Sequence, residues 1–324
     1  MNRDGAFMRW MLLAIVVLSF SAGSFAQIGV GISVRVGPPP LPVYAQPLCP
    51  GPGYHWTPGY WGWNNAGGYY WIPGTWVVAP VGMLWTPGYW GWGGGFYAWH
   101  PGYWGPHVGF YGGINYGFGY GGVGFVGGEW RGGTFYYNRY VTNVSATNVT
   151  HVYNRSVVFN ENHAAFNGGE GGVEARPTAQ EEAAAREPHT PPLAAQTQHE
   201  QAASQNRENF ASENHGRPAV AATSRPGDFS PHSAVPARSA GGEYHAPAMS
   251  PQEARIGSTP GTKASSSEGF HSFSKPSASN SPEPTKTTQT NPPKANNSKP
   301  ASQHKASPPP HKQSAPKGQH SKGR

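Results

Sequence analysis

Trp56-Thr57-Pro58-Gly59-Tyr60-Trp61 is followed by Trp71-Ile72-Pro73-Gly74-Thr75-Trp76, by Trp85-Thr86-Pro87-Gly88-Tyr89-Trp90 and by Trp99-His100-Pro101-Gly102-Tyr103-Trp104. These are four copies of W-x-P-G-x-W, with starts 15, 14 and 14 residues apart. That period is too short for a propeller blade or a paired-helix repeat. Pro-Gly favours a type II turn or a sharp bend, with Gly supplying a positive φ. The Trp residues on either side then stand on short strands.

Working outward, Trp61-Gly62-Trp63 and Trp90-Gly91-Trp92 continue with period two, which puts both rings of each trio on one face of a strand. Asn64-Asn65-Ala66-Gly67-Gly68 and Gly93-Gly94-Gly95 read as hairpin tips leading back into Tyr69-Tyr70-Trp71 and Phe96-Tyr97-Ala98-Trp99. Residues 51–133 are therefore expected to form an antiparallel meander of short aromatic and glycine-rich strands, in a chain that is mainly β. Between Arg35 and Glu129 there is no Asp, Glu, Lys or Arg. With so few aliphatic side chains, such hairpins must be held by ring-on-ring and ring-on-glycine contacts, each suitable aromatic pair adding about 0.5–1.5 kcal/mol.

On the N-terminal side, residues 27–50 read as one half-buried strand, from the alternation of Ile28, Val30, Ile32, Val34 and Val36 with small or polar residues, and then a stiff connector beginning at Pro38-Pro39-Pro40. Before it, Arg3 and Arg9 precede the apolar run Trp10–Phe20, and Ser24-Phe25-Ala26 fits a small-x-small cleavage site. Residues 1–26 are read as a signal peptide, the run being short for a bilayer span, and no later segment has the length of one. Export into an oxidising compartment is the expectation. The one cysteine, Cys49, rules out an intramolecular disulfide and leaves either a small packed residue or an inter-chain bridge.

On the C-terminal side, residues 134–169 are rich in Thr, Val, Asn and Tyr and are expected to extend or cover the sheet. In residues 170–215, Thr178 caps a helix formed by Ala179–Arg186, and Leu193–Asn209 forms a second. Neither has a wide apolar stripe, so both are expected to be marginal and bathed in solvent. From 216 to 324 no periodicity remains and composition predicts disorder. The 45 Gly and 34 Pro of the 324 residues agree with low complexity over much of the length. Every lysine lies between Lys263 and Lys322; from residue 257 onward nine Lys and Arg324 face Glu268 and Glu283, so the chain's net +7 is the property of this segment.

The four W-x-P-G-x-W copies, with Tyr60-Trp61-Gly62-Trp63 and Tyr89-Trp90-Gly91-Trp92 among them, resemble the YXWGXW (WXXGXW) repeat proteins of Gram-negative bacteria. The resemblance runs on through Pro101–Gly113, Phe135–Arg139 and Arg176-Pro177-Thr178, spanning roughly Pro38 to Arg217. It implies an exported, envelope-associated protein.

Sites for chemistry are sparse. Gly117-Phe118-Gly119-Tyr120-Gly121-Gly122 satisfies G-x-G-x-x-G but has no strand–helix frame around it. The 14 histidines include no H-x-H, and His199-Glu200 lacks the second histidine of H-E-x-x-H. Before residue 170 the repeat region and its extension offer only Glu129 and Glu161 as carboxylates, too few for a paired acid and base. No enzyme activity, cofactor, metal or specific nucleic-acid partner is expected. Two functions remain: a structural or interaction protein tethered to an anionic envelope surface by its lysines, or a peptidoglycan or exopolysaccharide binder. For the second, the stacking candidates are Trp61, Trp63, Trp90, Trp92, Trp104, Tyr60, Tyr89 and Tyr103, provided that their rings lie exposed on one face.

Overall fold

The computed structural model describes residues 31–159 and 162–256. The signal-peptide reading of residues 1–26 and the lysine-rich segment from 257 lie outside them. The architecture is mainly β, in small sheets of short aromatic and glycine-rich strands. After β1 (Ser33–Val34) come β2 (Tyr54–Thr57), β3 (Tyr60–Asn64), β4 (Gly68–Ile72) and β5 (Gly74–Val78), then β6 (Leu84–Thr86), β7 (Tyr89–Gly93), β8 (Phe96–His100) and β9 (Tyr103–Gly105).

Their register refines the expected meander. β2 pairs with β5 and β3 with β4, all in one continuous antiparallel register: Thr57 faces Thr75 and Tyr60 faces Ile72. Pro58 therefore falls opposite Gly74, and Gly59 opposite Pro73. The second hairpin repeats this, with Thr86 facing Tyr103 and Tyr89 facing His100 across Pro87-Gly88 and Pro101-Gly102. The four motif copies are thus two long hairpins, each bent once where two Pro-Gly pairs meet head to tail. Proline lacks the N–H that the ladder needs, so the ladder breaks there and resumes on the far side.

The expected type II turns are absent at these sites. Gly59, Gly74, Gly88 and Gly102 do not have positive φ; glycine is required instead by crowding. A Cβ on Gly74 would sit 2.5 Å from Trp56 Cζ2, one on Gly88 2.5 Å from Trp99 Cζ2, and one on Gly102 2.5 Å from Trp85 Cζ2; Gly59 is covered in the same way by Trp71. In each hairpin the first Trp of one copy lies over the Gly of the other. The Trp rings also meet across the strands. Trp56–Trp76, Trp61–Trp71, Trp85–Trp104 and Trp90–Trp99 have centroids 5.3, 5.2, 5.4 and 5.3 Å apart in edge-on or tilted geometry. This is the arrangement that the ring quadrupoles favour. Backbone groups freed at the bends find partners: Gly59 N–H donates to the Tyr44 phenol, Gly74 N–H to Ala221 O, and the Tyr116 phenol donates to Gly88 O.

The rest of the chain is laid around these hairpins. β10 (Asn115–Gly117) and β11 (Tyr120–Gly121) form a small ribbon, which is where the G-x-G-x-x-G run falls. β12 (Gly128–Arg131), β13 (Thr134–Asn138) and β14 (Val152–Tyr153) make a three-stranded sheet. β15 (Phe166–Asn167) adds in parallel to β7, while β1 adds to β8 on the other side. Ser33 and Val34 pair with β8 and Ile32 O accepts from Trp99 N–H, while Ile28 and Val30 of the expected strand lie outside the described residues.

Two expectations about the C-terminal half are corrected. Helix α1 (Ala179–Ala184) has the predicted Thr178 cap, and α2 is Ala194–Gln205; most of their residues are exposed, but each buries one narrow face. Glu181, Ala184, His199 and Ala203 are buried: small and hydrogen-bonded side chains substitute for an apolar stripe. Order also does not stop at residue 216. After α3 (Ala211–Asn214), β16 (Ala222–Thr223) pairs in parallel with β5, β17 (Ala234–Val235) pairs with β16, and α4 (Pro251–Ala254) is capped by Ser250. Arg35 N–H then bonds to Ala254 O and Ile256 N–H to Ser33 O, joining the two ends of the described chain. Cys49 is fully buried, with its thiol 3.2 Å from Gly51 O, so it is a packed residue and is closed to an inter-chain bridge in this fold.

Candidate functional site

The eight stacking candidates separate into three groups. Trp61, Trp90 and Trp104 are core, at most 1 % exposed, and their indole N–H groups donate to Pro40 O, Trp61 O and Gln196 Oε1. Gln196 Oε1 also accepts from Leu193 N–H, so one side chain holds both a motif Trp and the start of α2. Tyr60, Tyr89 and Tyr103 are half-buried and already stacked: on Trp99 at 5.1 Å, on His100 at 4.5 Å and on His189 at 3.8 Å. Trp92 is the one exposed ring of the eight, and Trp63, although buried, lines a groove. The continuous exposed row that glycan stacking on all eight would need is not formed.

Trp63 and Trp92 occupy the same place in the two copies of Tyr-Trp-Gly-Trp but differ in surroundings. Trp92 is 38 % exposed and tilted against Tyr97 at 4.7 Å, with Gly168 and Gly169 folded over its inner side. Trp63 packs edge-on against Tyr69 at 4.8 Å, and its indole N–H is buried without a hydrogen-bond partner. Trp63 and Tyr69 line a groove of about 340 Å³. One wall is Gly37-Pro38-Pro39-Pro40, held by the Tyr69 phenol donating to Val36 O. The facing wall is the strap 243–251, held beside the first by Val43 N–H donating to Ser239 O. Ala211 and Ser212 of α3 close one side. Glu243 is the one charged side chain lining the groove, 4.0 Å from the His245 imidazole.

A second, smaller cavity of about 80 Å³ lies where the bends of the two hairpins approach α2. Glu200 projects into it and accepts a 3.2 Å hydrogen bond from the Tyr60 phenol. Burial raises the Glu200 carboxyl above its ordinary range, against the lowering effect of bonds from Tyr60 and Tyr70. Next to it, His199 Nδ1 accepts from Gly227 N–H at 2.9 Å, which leaves Nε2–H to donate to Pro73 O at 2.9 Å. Burial lowers this imidazole, and with both nitrogens engaged it has none free to take a proton from a reactant. The pair His199-Glu200 pins α2 to the bend of the first hairpin. Sequence reasoning noted these residues only for the metalloprotease pattern they fail to complete. Among the described residues no group of three His, Cys, Asp or Glu side chains is placed to hold a metal ion.

The geometry defines a class: a β scaffold of two reciprocally bent hairpins, each closed by two Trp pairs. Residues 51–77 and 81–104 each match the family model of the WXXGXW repeat, so the chain carries two copies of that repeat. Each match coincides with one bent hairpin, so the repeat unit holds two W-x-P-G-x-W copies. The matches are narrower than the stretch from Pro38 to Arg217 over which the resemblance was read. No curated protein and no solved structure matches the chain.

Proposed function

We propose that this chain is an exported, non-catalytic protein of the bacterial envelope, in which the WXXGXW repeats are the frame and the lysine-rich segment from 257 engages an anionic surface. The observation that carries this reading is the use of the motif residues. Seven of the eight motif Trp rings are buried, all eight are paired across strands, and the Pro and Gly between them make the bends. A motif spent on its own packing builds a surface and does not present one. Among the described residues no helix is long and apolar enough to cross a membrane. Spaced lysines near an anionic lipid surface contribute roughly 1 kcal/mol each, in a salt-sensitive way. Deleting residues 257–324 is expected to release the protein from envelope fractions, and salt should do the same to the full chain. Retention unchanged by either treatment contradicts the tether.

One observation favours a second reading, glycan binding: the exposed face of Trp92, the one exposed Trp among the described residues. Trp92→Ala should then abolish retention on peptidoglycan or exopolysaccharide while near-ultraviolet circular dichroism stays native. Equal retention of wild type and variant rejects it.

A further inference from the structure

The small cavity where the two bends approach α2 joins aromatic rings to a carboxylate. Tyr60 of the first hairpin and Trp85 and Trp99 of the second all line it, and Tyr60 stacks on Trp99 at 5.1 Å. Glu200 of α2 is the one carboxylate among the lining, and no Lys or Arg joins it. Among the described residues Glu200 has no ion-pair partner. Its carboxylate accepts from the Tyr60 phenol, while the neighbouring His199 has both ring nitrogens committed to Gly227 N–H and Pro73 O. Burial raises the Glu200 carboxyl, and no cation is among the groups that lower it. Other polar side chains of the lining are spent on the fold: Thr57 Oγ1 donates to Thr75 O, and Gln196 Oε1 accepts from Trp104 and Leu193. A carboxylate withdrawn from water is stabilised by an opposite charge, which this fold does not supply.

At about 80 Å³ the cavity exceeds the roughly 30 Å³ share of one water, and the exposed Pro101 and Pro192 among its lining open it to solvent. Aromatic rings attract a cation through their quadrupole, more strongly once the cation has shed its water. A primary ammonium is a compact, strongly hydrated charge with three N–H donors, each needing an acceptor. A methylated ammonium keeps the charge, turns methyl groups towards the rings and loses little hydration on entry. It is the better match to three rings and one carboxylate. We propose that this cavity binds a methylated ammonium group, with its charge at the Glu200 carboxylate and its methyl groups against the rings of Tyr60, Trp85 and Trp99.

The test titrates choline into the full chain labelled with 5-fluorotryptophan, at constant ionic strength against potassium chloride. The fluorine resonance of Trp99, assigned by its loss in Trp99→Phe, should shift saturably, and that of the exposed Trp92 should not. The neutral isostere of choline, with carbon in place of the quaternary nitrogen, should bind at least about tenfold more weakly. Glu200→Gln keeps an oxygen for the Tyr60 phenol and removes the charge. It should weaken choline about tenfold, more than an exposed ion pair accounts for. The isostere is compared on the wild-type chain, so that arm stands whether or not the variant folds. Phosphatidylcholine vesicles present the same head group. A response to choline alone assigns a free solute and a response to both assigns a lipid head as well; each upholds the site. No saturable shift of Trp99 with choline, equal affinity for choline and its isostere, unchanged affinity in a folded Glu200→Gln chain, or a shift at Trp92 that matches the one at Trp99 overturns the proposal.

Discussion

The two repeats are close copies in sequence and opposite in use. In the first, the arm beyond the bend (β3–β4) is a two-stranded sheet among the described residues; α2 and α3 cover it, and Trp63 ends at the floor of a groove. In the second, the equivalent arm (β7–β8) is flanked by β1 and β15, and Trp92 is left 38 % exposed. The inner rings do not vary in this way: Trp61 and Trp90 are each 1 % exposed and each face a Trp across the ladder. The motif therefore fixes the bend and the pairs, whereas the fate of the outermost Trp is set by whichever segment is laid over it. Within-repeat contacts are local and shared; between-repeat differences come from residues far away in sequence.

Substitutions can break or sharpen this contrast. The largest effect is expected at a motif Trp: Trp71→Ala removes a fully buried ring, its edge-on partner Trp61 and a 3.0 Å bond to Ala221 O. The cost should be about 3–5 kcal/mol, read as a fall in the denaturation midpoint. A difference between the repeats also predicts pH behaviour. His55 precedes Trp56, whereas Leu84 precedes Trp85. His55 is enclosed by Trp104, Tyr120, Phe125 and Phe135, and its Nδ1 has no partner. Burial pushes its imidazole down to about 3. A folded value below the unfolded one means stability that is present above about pH 6.5 and lost as pH falls towards 3. The loss reaches about 3 kcal/mol by pH 4 through this residue. His199, also lowered, adds to that loss, and Glu200, raised, opposes it. His55→Leu, which borrows the second repeat's residue, should therefore gain stability over wild type as pH drops from 7 to 4; parallel curves refute the assignment.

Smaller effects test the bend. Gly59→Ala drives a Cβ into Trp71 and to 2.8 Å from Gly74 N, and should cost about 1–3 kcal/mol. At Gly51 a Cβ meets nothing within 4 Å, so Gly51→Ala should be close to neutral in the same melt. Among the Trp substitutions the smallest effect is expected at Trp92→Ala, under about 1 kcal/mol, since the ring is partly solvated. If Trp92→Ala costs as much as Trp71→Ala, the division into shared inner rings and variable outer ones fails.

Much of the hairpin geometry was legible because it is local. The tips at 64–68 and 93–95 carry their own turn chemistry, and period two puts Trp61 with Trp63. The role of glycine in Pro-Gly is not legible locally, because crowding by Trp71 across the strand leaves no mark in a five-residue window. Order in 216–256 was invisible for a related reason: Ala222 and Thr223 have no pattern of their own and are held by pairing with Gly74 and Thr75. The docking of α2 depends on His199 reaching Pro73 O, a polar contact that no apolar stripe announces. The groove draws its walls from three separated segments, so only Trp63 among its residues could be picked out beforehand.

Exchange of the indole N–H protons with deuterium tests the central claim most directly. The account predicts slow exchange for Trp61, Trp71, Trp76, Trp90 and Trp104, whose indoles are at most 1 % exposed and hydrogen-bonded, and rapid exchange for Trp92. Rapid exchange at Trp61 or Trp90 would mean that the motif rings face solvent and are not the frame.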